Sequence, residues 1–213
     1  MRRLAAGVAF VGALVTTGCS AQGAGPAVDT DLEAAGAPAS PSDAELVERA
    51  GLEPCPSSEP PSEGTPSTGS GAAPRLPETP LPCLGEGPAV SLAGLDGEPT
   101  IVNLWASWCG PCVEELPALQ ALSADATVRV LGVLTQDTAR QGLAAADGLG
   151  VTFPSVVDDS GEVRRSLGLQ ALPATVLLRA DGTVAHRYVG PALDEPTLRS
   201  LLSEHLGLTA GGA

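Results

Sequence analysis

The stretch Ile101-Val102-Asn103-Leu104-Trp105-Ala106-Ser107-Trp108-Cys109-Gly110-Pro111-Cys112 constrains this chain more than any other. Its first half is an apolar, β-branched and aromatic run bounded by Pro99 and by Gly110-Pro111, which predicts a buried strand followed by a turn. Downstream, Val113-Glu114-Glu115-Leu116 and Ala118-Leu119-Gln120-Ala121-Leu122 carry apolar residues at three-to-four spacing, so a helix opens at the cysteines. The acidic pair is expected in the first helical turn, at the positive end of the helix dipole. A fold that accepts this stretch must hold a buried strand with a helix starting at its C-terminal end.

That placement has chemical consequences. A thiolate is the nucleophilic form of cysteine, and an ordinary thiol with a pKa near ~8.5 is mostly protonated at neutral pH. Cys109 would stand at the helix N-terminus, where unpaired amides stabilise negative charge and can lower its pKa to roughly 7 or below. Cys112, one turn on and more shielded, can attack a mixed disulfide formed at Cys109. Pro111 fits the first turn because its missing N–H would have no partner there. Half of a zinc site or an inert disulfide are the other readings. A second close pair of ligands is missing, and no metal is expected.

Trp105-Ala106-Ser107-Trp108-Cys109-Gly110-Pro111-Cys112 resembles the active-site signature of the thioredoxin superfamily, and the following Val113-Glu114-Glu115-Leu116-Pro117 resembles its TlpA/ResA-like, membrane-anchored branch. The resemblance runs from about Cys83 to Leu208. It implies an α/β fold with a thioredoxin-like central mixed sheet flanked by helices, and thiol–disulfide exchange without a cofactor. Where cytosolic thioredoxins carry a buried Asp six residues before the first cysteine, this chain has Asn103. The resemblance therefore assigns proton management to Glu115, one turn past Cys112; a solvated helix residue is the plain alternative. Pro173, in Leu169-Gln170-Ala171-Leu172-Pro173-Ala174-Thr175, falls at the family's cis-proline, with a trans proline opening a strand as the alternative. In the family this proline faces the cysteines, and the preceding residue, here Leu172, offers its backbone to an incoming peptide by strand addition. Ala171 and Ala174 depart from the commoner Gly and Thr. Trp108 would shield the site.

The 213-residue chain carries 25 acids against 11 bases, all arginine, for a net charge of −14. That balance argues against nucleic acid and against electrostatic adhesion to anionic lipid. Length favours one domain of about 130 residues with a long extension over two full domains. Met1-Arg2-Arg3 and the apolar Leu4 to Val15 read as an export signal over residues 1–18, too short for a comfortable membrane span. Small residues ending in Gly18 before Cys19 resemble a bacterial lipoprotein cleavage box, so Cys19 is the expected lipidation site; a plain cleaved signal is the alternative. Lipidation would anchor the exported protein to the outer face of the bacterial cell membrane and account for an odd number of cysteines.

Residues 19–41 read as a disordered, flexible tether. Residues 42–82 read as a short helix plus a low-complexity extension: Ser42-Asp43-Ala44-Glu45 is a capping box, with a helix to about Ala50 and Gly51 as C-cap. Cys55 and Cys83 are the remaining cysteines and are expected to form a structural disulfide in an oxidising compartment, worth about 3–4 kcal/mol on the chain-entropy model. The rival is that one of them resolves the active-site disulfide. Leu76 to Leu84 is expected as an extended edge segment.

Residues 83–208 hold the redox domain: a strand at Ala89 to Leu95, the central strand, a strand at Thr127 to Leu134, helices at Thr138 to Leu149 and Glu162 to Leu167, a hairpin turned by Asp181-Gly182, and a helix from Glu195 to about Leu206. Residues 209–213 are a tail. His186 and His205 are expected to be structural or superficial. The reading is a monomeric, lipid-anchored thiol–disulfide oxidoreductase acting on protein disulfides or thiols. It would serve as a reductant, for cytochrome c maturation or a similar task, and be recharged by a membrane electron donor. An oxidising disulfide-forming protein, a thioredoxin-fold peroxidase, a copper metallochaperone and a non-catalytic binding module are the alternatives. Val102 and Ala106 stand where a peroxidase needs Pro and Thr, and the cysteine spacing is short for a copper carrier.

Overall fold

The computed structural model describes residues 41–58, 75–126 and 128–208. The expected export signal, Cys19, the tether and the tail lie outside the described residues.

Helix α1 (Asp43–Ala50) opens on the expected capping box: Ser42 Oγ accepts from Glu45 N, Glu45 reaches back to Ser42 N, and Gly51 closes the helix in the left-handed region. Leu46 and Ala50 are its buried face, and it packs on the later helix Ala139–Leu149. Two ion pairs, Arg49 to Asp147 at 2.5 Å and Arg140 to Asp43 at 2.6 Å, lie along that contact. Being exposed, they add little beside the apolar packing.

Two short strands, β1 (Pro80–Leu81) and β2 (Val90–Ser91), pair antiparallel. The strand expected over Ala89 to Leu95 is shorter than predicted. After Ser91 the chain turns into a single 3-10 turn, Leu92–Gly94. Leu92, Ala93 and Leu95 are nevertheless buried, so the apolar run reflects burial in a turn rather than extended pairing.

The main sheet comprises β3 (Thr100–Trp105), β4 (Arg129–Thr135), β5 (Ser155–Asp158), β6 (Ala174–Leu178) and β7 (Val184–Val189), in the order β5-β4-β3-β6-β7. β3 is central and wholly buried; it runs parallel to β4 and antiparallel to β6, so the sheet is mixed as expected. Its helices are α2 (Gly110–Ala124), α3 (Ala139–Leu149), α4 (Glu162–Ser166) and α5 (Glu195–Leu206).

Alternation along β3 sorts the core into two layers. Ile101 and Trp105 join Leu116, Leu119 and Leu122 of α2, Leu143 of α3, and Leu198 and Leu202 of α5. Val102 and Leu104 face the opposite layer, with Val163 of α4 and with Leu76, Leu81, Leu92 and Leu95. The segment 75–84 is therefore part of the domain's core. Pro82 O accepts from Val157 N at 2.8 Å, and Leu84 N donates to Ser155 O at 2.7 Å, so this chain lies along the β5 edge as expected. The domain division drawn at Cys83 falls inside this packed segment.

Gly132 of β4 allows one close approach. A Cβ there would lie 2.2 Å from Ser155 Oγ and 2.9 Å from Trp105 Nε1. No larger residue fits between these side chains without displacing them.

Cys55 and Cys83 form a disulfide that closes a 28-residue separation, with Cα atoms 5.9 Å apart. It ties the segment after α1 to the β5 edge, where Cys83 bridges to Val156.

Candidate active site

β3 ends at Trp105, and the chain turns through Ala106-Ser107-Trp108 into α2. Cys109 is the N-cap residue, in extended conformation, and its Sγ accepts from Cys112 N at 3.3 Å. Gly110 and Pro111 form the start of the first turn, where a proline forfeits no intrahelical bond. Cys109 and Cys112 are joined as a disulfide with Cα atoms 5.2 Å apart. Cys109 is 7% exposed and Cys112 1%, so the outer sulfur is the one an incoming group meets.

One expectation is corrected here. The first turn of α2 contains no acidic residue. The helix begins at Gly110, so Glu114 and Glu115 fall in the next turn, and the Cys112 amide donates to Cys109 Sγ with no carboxylate in the first turn to compete for it.

Glu115 is buried, not solvated. It sits three residues past Cys112, a spacing that shares one helix face. The antiparallel register brings Asn103 opposite Thr175. Asn103 Nδ2 donates to Thr175 Oγ1 at 3.2 Å, and Thr175 Oγ1 donates to Glu115 Oε1 at 3.0 Å. Glu115 Oε2 and Asn103 Oδ1 have no hydrogen-bond partner among the described residues. Burial pushes the Glu115 carboxyl from an ordinary 4.5 up to about 7, against the opposing pull of hydrogen bonds from Thr175 and Asn103. The chain thus places a carboxyl able to gain or lose a proton near neutrality on the Cys112 face of α2.

The Leu172–Pro173 peptide bond is cis. A groove of about 410 Å³ runs between this loop and the cysteine turn, lined by Trp108, Cys109, Pro111, Gln136, Arg164 and the segment Gln170-Ala171-Leu172. Trp108 is 60% exposed and stands as a wall shared with a second groove that reaches Pro82 and Cys83. Its indole Nε1 donates to Gln136 O at 3.1 Å.

Several residues of this arrangement are absent from the sequence-based expectations. Asp137 Oδ2 accepts from Ser107 N at 2.6 Å and Oδ1 from Thr138 N at 2.7 Å, which fixes the turn before Cys109 to the start of α3. Gln136 and Arg164 also belong to this set. Their one sequence signal is position: Gln136 and Asp137 follow β4, a strand parallel to β3, and ligand sites in such sheets gather at the carboxyl ends of the strands. His186 on β7 and His205 on α5 are not among the groove residues. Their rings stack, centroids 3.9 Å apart. No cluster of three or more metal-ligating side chains occurs among the described residues.

A mixed sheet with a Cys-x-x-Cys disulfide at the N-terminus of its first long helix, faced by a cis-proline loop, defines a thioredoxin-like protein. The sequence profile of the Redoxin family matches residues 71–202, and the chain belongs to that family. It is 32% identical over 106 residues to the thiol:disulfide interchange protein CycY of Rhizobium leguminosarum bv. viciae, covering 49% of this chain and 57% of that protein. It is 27% identical over 108 residues to the thiol-disulfide oxidoreductase ResA of Halalkalibacterium halodurans, covering 49% and 61%. The chain thus spans less than two thirds of the length of these curated relatives. Among solved structures it is similar to a thioredoxin-like protein of Porphyromonas gingivalis (27% identity, TM-score 0.52, 65% of this chain and 94% of that one). A secreted disulfide oxidoreductase of Mycobacterium tuberculosis shares the fold (24% identity, TM-score 0.53, 60% and 96%).

Proposed function

We propose that this chain is an extracytoplasmic thiol–disulfide oxidoreductase that reduces disulfides in other proteins. The observation that carries the reading is the Cys109–Cys112 disulfide, with its outer sulfur at the N-cap of a 15-residue helix and beside an open groove.

In the reduced protein, the Cys109 thiolate attacks one sulfur of a substrate disulfide. The S–S bond breaks, a mixed disulfide forms, and the other substrate sulfur leaves as a thiolate that takes up a proton. Glu115 accepts the proton of Cys112. The Cys112 thiolate then attacks Cys109 Sγ, closing the intramolecular disulfide and expelling the second substrate sulfur as a thiolate, which takes up a proton. Two electrons pass to the substrate, and the protein is left in the oxidised state seen here. Leu172 and Pro173 present the substrate's backbone with a strand to pair against, while Trp108 walls the groove.

The next cycle requires a dithiol donor at the membrane. The signal-like sequence of residues 1–18 supports that setting, and a lipid on Cys19 would hold the domain on the outer face of the cell membrane through residues 19–41. Apocytochrome c disulfides are a candidate substrate class, in keeping with the resemblance to TlpA/ResA-like proteins.

Reduction of insulin disulfides by dithiothreitol tests the reading. The wild type should accelerate it and Cys109→Ser should not. Equal rates for the two would end the claim of catalysis. Incorporation of radiolabelled palmitate that disappears in Cys19→Ala tests the anchor.

A further inference from the structure

One side chain outside the thiol chemistry ties both walls of the groove together. Arg164, on α4, is half-buried. Its Nη2 donates to Gln136 Oε1 at 2.9 Å and its Nη1 to Gln170 O at 3.4 Å. Gln136 belongs to the wall that holds Trp108, because its main-chain carbonyl accepts the indole N–H. Gln170 belongs to the opposite wall, two residues before Leu172 and its cis bond to Pro173. All of these residues line the groove that contains Cys109, and Arg164 is the one cation among them.

The local backbone is arranged for this link. Gln136 adopts φ 53°, a left-handed conformation uncommon for a residue other than glycine. Gly161, at the start of α4, has φ 69°, and a Cβ there would come within 2.8 Å of Gln136 Cγ. The bare Gly161 thus leaves room for the Gln136 side chain to lie across the head of α4 and reach the guanidinium. Arg164 Nε is buried with no hydrogen-bond partner among the described residues, so part of this side chain's polar capacity is left unmet. Both bonds it does make go to the groove walls.

We propose that Arg164 is a positioning residue for polypeptide substrates: its guanidinium fork sets the separation between the Trp108–Gln136 wall and the Gln170–Leu172 wall of the Cys109 groove. A planar fork can hold two acceptors at a fixed spacing, whereas a lysine is a point charge on a flexible stem and cannot. A substrate that lies along both walls depends on their separation. A small disulfide that only meets Cys109 does not. This inference rests on the oxidoreductase reading and extends it to the substrate class, extended protein segments.

The test compares insulin with the small neutral 2-hydroxyethyl disulfide, using wild type, Arg164→Ala and Arg164→Lys. Arg164→Ala should raise KM for insulin by roughly tenfold while kcat stays within about twofold, the pattern of lost binding. The loss of kcat/KM with the small disulfide should be at least about fivefold smaller than the loss with insulin. Arg164→Lys should behave like Arg164→Ala, and the emission of the exposed Trp108 should change in both. Equal losses for the two substrates, no loss for insulin, or full rescue by lysine would each overturn the proposal. If Arg164→Ala does not fold, Gln136→Ala removes the 2.9 Å bond and should raise the insulin KM in the same direction; an unchanged KM refutes the link. A wild type unable to reduce insulin refutes instead the reading on which the proposal stands.

Discussion

Glu115→Gln is the most informative single substitution in this protein. The carboxyl is fully buried, with Thr175 donating to one oxygen and no donor to the other among the described residues. Burial raises its pKa from 4.5 to about 7. In the unfolded chain the group loses its proton near 4.5; in the native chain it keeps it until about 7. Between those values the native state holds more protons, so stability is fully present below pH 4.5 and falls as pH rises toward 7. A pKa difference of one is worth about 1.4 kcal/mol, so the interval corresponds to about 3 kcal/mol. Glutamine has the same shape, can still accept from Thr175, and does not titrate. Urea unfolding of the oxidised wild type and of Glu115→Gln should therefore agree to within about 1 kcal/mol at pH 4.5. The variant should gain relative stability with rising pH, reaching an advantage of about 3 kcal/mol above pH 7. All other titrating groups are common to both proteins and cancel in the difference. A difference between the proteins that stays flat from pH 4.5 to 8 would refute the reasoning, because the carboxyl would then titrate alike in both states.

Other consequences follow from the packing and the chain linkage. Gly132→Ala should destabilise by about 1–3 kcal/mol in denaturant unfolding, since its methyl would meet Ser155 Oγ and Trp105 Nε1 inside contact distance. Replacing Cys55 and Cys83 together by alanine should lower stability by about 3–4 kcal/mol for the 28-residue separation, while insulin reduction persists. Loss of turnover in that variant would instead make the second disulfide part of the redox cycle.

The strand-to-helix stretch was legible because its determinants are local: an apolar run, a turn at Gly110-Pro111 and a helical repeat after it. The start of the helix at the cysteines was legible too, but the acidic pair does not belong to its first turn: counted from Gly110, Glu114 and Glu115 are the fifth and sixth helical residues. The run from Ala89 to Leu95 misled for a different reason. Buried turn residues and buried strand residues look alike in sequence, and Leu92 and Leu95 are buried in the same core layer as Leu76 and Leu81 without extended pairing. The environment of Glu115 depends on the Asn103–Thr175 register, a pairing between strands far apart in the chain. The Gln136–Arg164–Gln170 link carried even less signal, since it requires a left-handed glutamine that no composition rule marks.

The account turns on Cys109 being an activated nucleophile at the head of α2. The rate of iodoacetamide alkylation of the reduced protein, followed against pH with Cys112 replaced by serine, measures this directly. The account predicts a single midpoint at roughly pH 7 or below. A midpoint at or above the ordinary ~8.5 of a free thiol would contradict it.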